Sequence, residues 1–299
     1  MIDLAQLAGA WEHFFFEPAP VHSLAIFRIA FGLVLLLDAV FLLANLDQYL
    51  GPKGLTEHHR YFKHNHGRAL SLFLHLPPTL GTVYGVMGLH LLAVTCLTLG
   101  FLTPLSAALA FLTVRSIVNR QPSISNGGDN VAKIMCFFLI FAPAGHAYSL
   151  DEILFHAPSH PGGEYQNQAP WAVRLMQIQV SIIYLYTAYW KLKGTTWRAG
   201  TAIYFAAVHA MYRKFETPRW LLRTPVVQML TWGTLAVEFG LGFGLWIDDF
   251  RIWLVLLGFL LHLGAEYMLN VHLFGWYMMA CLLLFVEPME VLAWLPRDR

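Results

Sequence analysis

Long apolar runs constrain the fold of this chain more than any other feature. A helix needs about 20 consecutive apolar residues to cross a bilayer, and several runs here approach or exceed that length. The 299 residues are 57% hydrophobic and 12% charged, so the charged fraction is about half that of a typical soluble domain. Because hydrocarbon offers no partners to the backbone, spanning segments fold as helices. The sequence therefore predicts an all-α, polytopic integral membrane helical bundle.

The runs predict about eight transmembrane helices within one domain, residues 1–299, with no separate soluble domain. The predicted spans lie near 23–46, 80–101, 104–119, 131–147, 171–190, 225–247, 252–271 and 273–294. The N-terminus is acidic and aromatic, and the first run is too long for the core of a signal peptide. We therefore expect the first run to remain as a helix.

Most lysines and arginines lie in the connections between spans one and two, three and four, and five and six. The opposite connections and the C-terminus hold few, namely Arg251, Arg297 and Arg299. The positive-inside rule then places both termini outside and the end of the fifth span near the cytoplasmic face. Within the connection after the fifth span, residues 200–215 are predicted to form an amphipathic interfacial helix. No basic cluster with interleaved aromatics indicates nucleic-acid binding.

The predicted fifth span keeps a row of polar side chains. Gln177, Ser181, Tyr184 and Lys191 are offset from Gln177 by 4, 7 and 14 residues, which puts them on one face of a helix. An apolar pocket disfavours the charged ammonium, so Lys191 could act as a general base at neutral pH. The alternative is an interfacial lysine that anchors the end of the helix.

Other ionisable residues fall inside predicted spans, where they are costly and usually face the bundle interior. Glu238 lies in the middle of the sixth span and needs either a proton or a partner. His262, Glu266 and Asn270 follow at steps of four in the seventh span, on one predicted face. That spacing suits a pair of metal ligands, a structural hydrogen-bonded pair or proton handling. Arg28 lies in the first span and fits a snorkelling or capping arginine.

Four histidines cluster in the first connection, namely His58, His59, His64 and His66. Without cysteine or aspartate partners they fit a solvated loop better than a metal site, and we predict no metal ligands.

The sequence SNGGDN precedes the predicted fourth helix. Its residues offer two readings, a helix cap or contacts with an anionic ligand at the exposed N–H groups of the helix start. The residues concerned are Asn126, Gly127, Gly128, Asp129 and Asn130.

Several segments in this order resemble the HTTM (horizontally transferred transmembrane) family. They are FRIAFGLVLLLDA at 27–39, the SNGGDN turn with HAYSLDEIL at 146–154, the QIQ…IYLYTAYWKL…W-x-x-G block at 177–200, then Glu238 and N-x-x-L-F-G at 270–275. The resemblance extends from about Phe27 to Val286. This family includes the membrane module of vitamin K-dependent gamma-carboxylase.

The resemblance implies chemistry on a quinone. In the carboxylase, a lysine of the matching block deprotonates reduced vitamin K, oxygen attacks, and the resulting base removes a glutamate proton before carbon dioxide adds. Lys191 falls at the position of that lysine, and Trp197 closes the same block. Gly128 stands where the carboxylase has a functional histidine. The carboxylase site opens to the lumenal side, and its soluble β-rich domain is not expected here, so a separate soluble partner could replace it.

The resemblance, together with the row of polar side chains in the fifth span, implies an enzyme of the bacterial inner membrane with carboxylase-like lyase and monooxygenase-type chemistry. Reduced vitamin K or a related quinone would be the cofactor, with carbon dioxide and oxygen as co-substrates. Partners would be membrane lipids and a small peptide, protein or lipid substrate. The alternatives are a metal-dependent redox enzyme using His262 and Glu266, and a non-enzymatic membrane partner, assembly factor or transporter. The expected catalytic residues are Lys191, Glu238, His262 and Glu266, and the expected substrate-binding residues are Asn126, Gly127, Gly128, Asp129, Asn130, Gln177, Ser181, Tyr184, Trp197 and Asn270.

Overall fold

A computed structural model of the chain describes residues 3–57, 61, 63, 70–155 and 167–286. The fold is all-α and 74% helical, with thirteen α-helices in the described residues, so the predicted fold class is confirmed at that level. The chain divides into two compact units, Met1–Arg174 and Leu175–Arg299.

The first unit holds seven complete described α-helices and a minimal two-stranded sheet. Its helices are α1 Leu4–Phe16, α2 His22–Leu43, α3 Leu46–Leu50, α4 Leu80–Leu99, α5 Thr103–Arg120, α6 Gly127–Leu139 and α7 Leu150–Phe155. Short 3₁₀ turns occupy Leu72–Leu74 and Pro122–Ile124. Strands β1 Ala19–Pro20 and β2 Asn167–Gln168 pair antiparallel. The helices α2, α4, α5 and α6 pack in sequence around the core of this unit.

The second unit contains, up to residue 286, most of α8 and five further α-helices. They are α8 Trp171–Lys193, which begins at the end of the first unit, then α9 Thr195–Arg198, α10 Ala202–Val208, α11 Thr224–Phe243, α12 Asp248–Met268 and α13 Phe274–Leu282. The 3₁₀ turns Gly244–Trp246 and Leu283–Phe285 follow α11 and α13.

In the part of the chain that the structure describes, four helices are long and apolar enough to cross a membrane by length and composition: His22–Leu43, Leu80–Leu99, Thr224–Trp246 and Asp248–Met268. They correspond to the predicted first, second, sixth and seventh spans. A total of eight spans remains a prediction. The predicted third and fifth spans form helices of 18 and 23 residues, α5 and α8, which are not among the four.

The predicted fourth and eighth spans are shorter as helices than the apolar runs suggested. Helix α6 has 13 residues, which span only about 20 Å at 1.5 Å per residue, and the chain turns before Pro143. In the eighth span, α13 ends at Leu282 and the 3₁₀ turn at Phe285, while residues 287–294 lie outside the described part of the chain.

Arg28 in α2 is fully buried, and backbone carbonyls of residues 144–148 accept its hydrogen bonds. Its guanidinium donates to Ala144 O, and its Nη2 donates to Tyr148 O at 2.5 Å. Gly100, with a left-handed φ of 69°, lies against the same guanidinium, where a side chain would not fit. Arg28, predicted to snorkel or to cap a helix, is instead buried, and its Nη1 and Nη2 donate to backbone carbonyls of the turn after α6.

Candidate functional site

The candidate site of the second unit is built on the polar face of α8. The four residues that helical spacing placed on one face all make polar contacts within this unit. Gly242 of α11 has no side chain to hold Leu185 of α8 away, so the two helices approach closely there. Helices α11 and α12 and the turns after α11 and α13 supply the partners.

The first two residues of the face bind the 3₁₀ turns. The Gln177 side-chain amide donates to Leu284 O at 2.7 Å, and the Trp246 indole N–H donates to Ser181 Oγ at 2.9 Å. Both Gln177 and Ser181 are buried. These bonds tie α8 to chain segments that leave their helices, where carbonyls lack helical partners. Contacts of Gln177 and Ser181 with a substrate remain a prediction.

Tyr184 and His262 form a buried pair between α8 and α12. The Tyr184 hydroxyl lies 2.8 Å from His262 Nε2, and Tyr184 is 2% exposed. A buried hydroxyl and a buried imidazole each need a hydrogen-bond partner, and here each provides one. The predicted candidate His262 therefore has Tyr184 as its neighbour.

Lys191 and Glu238 form an ion pair at the end of the face. Lys191 Nζ contacts Glu238 Oε1 between α8 and α11. The side chains are 26% and 9% exposed, so the lysine is partly exposed while the carboxylate is buried. The Lys191 ammonium also lies 5.1 Å from the ring centroid of Trp197 in α9, within cation–π range.

The two carboxylate oxygens of Glu238 differ in their contacts. Its Oε2 is buried and has no hydrogen-bond partner in the described part of the chain. A buried acceptor without a donor is costly, so this atom is a natural position for a ligand hydroxyl or a water molecule. Lys191, Glu238 and Trp197 thus form a cation, an acceptor and an aromatic face in one place.

Glu266 lies one turn beyond His262 but contacts different groups. Its Oε1 accepts a hydrogen bond from Gly275 N at 2.8 Å, and its Oε2 lies 3.7 Å from Lys214 Nζ. These contacts join the end of α12 to the start of α13 and to the connection between α10 and α11.

The predicted polar face of the seventh span ends before Asn270. Helix α12 ends at Met268 because Leu269 is extended, with φ −117° and ψ 149°. Asn270 is exposed, and its backbone N–H donates to Tyr212 O at 2.6 Å. The prediction that all three residues share one helical face is therefore wrong for Asn270.

The SNGGDN turn of the first unit forms a helix cap. Asn126 Oδ1 accepts from Gly128 N at 2.6 Å, and Asp129 Oδ2 accepts from Asn126 N at 2.7 Å. Gly127 and Gly128 are the first residues of α6, Gly128 is buried and Asn130 is exposed. This reciprocal arrangement is a capping box, one of the two readings of the sequence. Contacts of these residues with a substrate remain a prediction.

In the described residues, no group of three or more His, Cys, Asp or Glu side chains is placed to hold a metal ion. His58, His59, His64 and His66 lie outside the described part of the chain.

Three contributors were missed in the sequence: Trp246, Lys214 and Gly275. Trp246 and Gly275 lie at helix boundaries, where no periodicity marks a partner. Lys214 was visible only as one charge in a basic connection, although a buried glutamate such as Glu266 needs a cation or donor nearby.

Comparison with known families finds one whose model matches this chain. The HTTM domain model matches residues 16–289, most of the chain. The chain belongs to the HTTM domain family. This domain is a membrane module in vitamin K-dependent carboxylase. The HTTM domain and the four apolar helices indicate an integral membrane protein. No curated protein and no solved structure matches the chain at a significant level.

Proposed function

We propose that this HTTM protein is a membrane enzyme of the carboxylase type, with Lys191 as general base toward a reduced quinone or lipid-like substrate. The observation that carries the proposal is the contact of Lys191 with Glu238 beside the Trp197 ring. It supports the proposal because an amine, a carboxylate and an aromatic ring lie together at the end of a buried polar face.

The donor set fits a quinone. A hydroquinone hydroxyl can donate to the unpartnered Glu238 Oε2, and its ring can stack against an aromatic face such as Trp197. When bound, reduced vitamin K or a related quinone would supply four electrons and two protons to oxygen, so that one oxygen atom ends in the quinone epoxide and the other in water. Carbon dioxide would replace a proton on the carbon acid, and that proton would be released.

The residues of the chain would hold and move protons. The Lys191 ammonium would first pass its proton to Glu238, which leaves the free amine. That amine would then accept a proton from the substrate hydroxyl. Tyr184 lies seven residues before Lys191, about 10 Å along the helix axis. His262 and Tyr184 would therefore tune the site through their shared hydrogen bond instead of contacting the reacting hydroxyl.

The remaining parts of the proposal concern setting and partners. The chain would form a single HTTM domain with about eight spans in a bacterial inner membrane. A small peptide, a protein or a lipid would supply the carbon acid, and a separate soluble protein could present it.

Purified protein incubated with reduced quinone and labelled bicarbonate tests the proposal. We expect quinone epoxide and fixed label, and a loss of roughly 100-fold or more in Lys191→Met, the effect of removing a general base. Lys193→Met is the matched control, since Lys193 lies on the same helix and contacts only the rings of Tyr189 and Trp190 among the described residues. Neither epoxide nor fixed label in the unsubstituted protein would exclude the carboxylase version.

A non-enzymatic membrane scaffold is the second candidate, favoured by one observation. Gln177, Ser181 and Tyr184 are used in contacts between elements of the unit. This alternative predicts that Lys191→Met leaves the cellular phenotype intact while the protein still accumulates in the membrane. A metal-dependent redox enzyme would instead contain stoichiometric iron, copper or zinc on elemental analysis.

A further inference from the structure

The connection between α8 and α11 is strongly basic. Residues 194–223, here the basic segment, contain Arg198, Arg213, Lys214, Arg219 and Arg223 but only one acidic residue, Glu216. The segment leads directly into Thr224–Trp246, a helix long and apolar enough to span a membrane. Its position along the chain therefore puts this positive charge at a membrane boundary.

The basic segment is fixed against the end of α12. Tyr212 O accepts from Asn270 N at 2.6 Å, and Lys214 N donates to Met268 O at 3.0 Å. Lys214 also contacts Glu266 through its ammonium. The predicted amphipathic helix over 200–215 is therefore limited to α10, because the chain after His209 turns to pair with residues 268–270. One of the five cations is neutralised internally.

Three arginines of the basic segment have no such neutralisation. Arg198, Arg219 and Arg223 are exposed, and none forms an ion pair with a carboxylate in the described residues. Exposed aromatics accompany them, with Phe205 at 54% and Trp220 at 59% exposure. Aromatic rings at the headgroup level and nearby cations are typical of segments that lie on a membrane surface.

We propose that the basic segment binds the headgroups of anionic lipids through Arg198, Arg219 and Arg223. Charge complementarity carries this assignment: the excess of positive charge is exposed, unpaired and adjacent to a spanning helix. Phe205 and Trp220 enter the headgroup layer and hold the segment at the depth where phosphates lie. The proposal is independent of any reaction at Lys191.

Lipid binding by the full-length protein tests the proposal. Purified protein in detergent receives equal amounts of phosphatidylglycerol and phosphatidylcholine, and native mass spectrometry counts the lipids that stay bound. We expect the unsubstituted protein to prefer phosphatidylglycerol. In the double variant Arg219→Gln with Arg223→Gln, this preference should fall about fivefold for each arginine removed. Raising the salt concentration should weaken the same preference.

Two further variants make the result specific. Arg219→Lys with Arg223→Lys preserves the charge and should retain most of the preference. Lys53→Gln with Lys63→Gln removes the same charge at exposed positions outside the basic segment and should leave the preference unchanged. An unchanged preference in Arg219→Gln with Arg223→Gln, or an equal loss in the Lys53 and Lys63 control, would overturn the assignment.

Discussion

At the scale of single residues, the Lys191–Glu238 pair is the feature with most consequence. A charge pair taken out of water loses hydration, so its net stabilisation is small even though loss of one partner is costly. Glu238 is nearly buried, whereas Lys191 keeps 26% exposure. The pair should therefore affect the free energy of unfolding in a way that does not depend on whether the protein is an enzyme.

We expect the effects of substituting the two residues on stability to be strongly coupled. We expect Glu238→Leu to lower the free energy of unfolding by about 2 kcal/mol, less than the 3–5 kcal/mol typical of fully buried pairs because Lys191 is partly exposed. Lys191→Met should cost a similar amount, because it leaves a buried carboxylate unpaired. Denaturant titration in detergent measures each change.

The double variant Lys191→Met with Glu238→Leu tests whether the two effects are coupled. It removes both charges, so we expect it to recover most of the stability lost in either single variant. Losses that simply add in the double variant would show that the contact has no energetic importance.

The polar face of α8 shows what the sequence could predict at this scale. Gln177, Ser181, Tyr184 and Lys191 were grouped correctly because helical periodicity is local. Their partners were not identifiable, since Leu284 and His262 come from 107 and 78 residues further along the chain. Spacing within one helix carries no information on which helix packs against it. Glu238 was recognised as needing a partner, but which cation it would meet was not.

At the scale of elements, two side chains at the start of α6 form hydrogen bonds with its backbone N–H groups. The capping box uses Asn126 and Asp129 to satisfy N–H groups that the first turn of a helix leaves free. A side chain already engaged in this way has less capacity to bind a ligand.

The cap makes a stability prediction. Asn126→Ala should lower the free energy of unfolding by about 1 kcal/mol, the usual cost of losing an N-cap side chain. Asn130→Ala is the matched control, because Asn130 is exposed on the same turn, and it should change stability by less than about 0.5 kcal/mol. Thermal unfolding in detergent compares the two, and equal effects would argue against the cap as the main role of Asn126.

Element boundaries were the least predictable part of the fold. The apolar run at 131–147 suggested a span, yet α6 ends at Leu139, because an apolar composition does not distinguish a helix from a buried turn. Residues 200–215 had helical amphipathicity, yet the helix ends at Val208, and from Tyr212 onward the chain pairs with residues 268–270. Both differences arise from tertiary contacts that outweigh local pattern.

At the scale of the whole molecule, the distribution of basic residues predicts the orientation of the protein in the membrane. The positive-inside rule predicts that the basic connections face the cytoplasm. The resemblance to the carboxylase predicts a site that opens to the opposite side. The two predictions place Lys191 near different faces of the membrane.

Labelling of single cysteines distinguishes these orientations. Cys96, Cys136 and Cys281 are first replaced, and one cysteine is introduced by Lys53→Cys, Arg219→Cys or Asp249→Cys in separate proteins. We expect a membrane-impermeant reagent applied outside intact cells to label only Asp249→Cys, with all three labelled after permeabilisation. Outside labelling of Arg219→Cys would instead support the carboxylase orientation.

The buried arginine of α2 has a consequence for biogenesis. The carbonyl of Ala144 that binds the Arg28 guanidinium comes 116 residues later in the chain. At synthesis rates of about 5–20 residues per second, roughly 6–23 seconds separate the two in time. During that interval the first spanning helix carries a charge without its final partners. Its insertion is therefore provisional until the turn after α6 is made, which ties the first step of assembly to a much later stretch of the nascent chain.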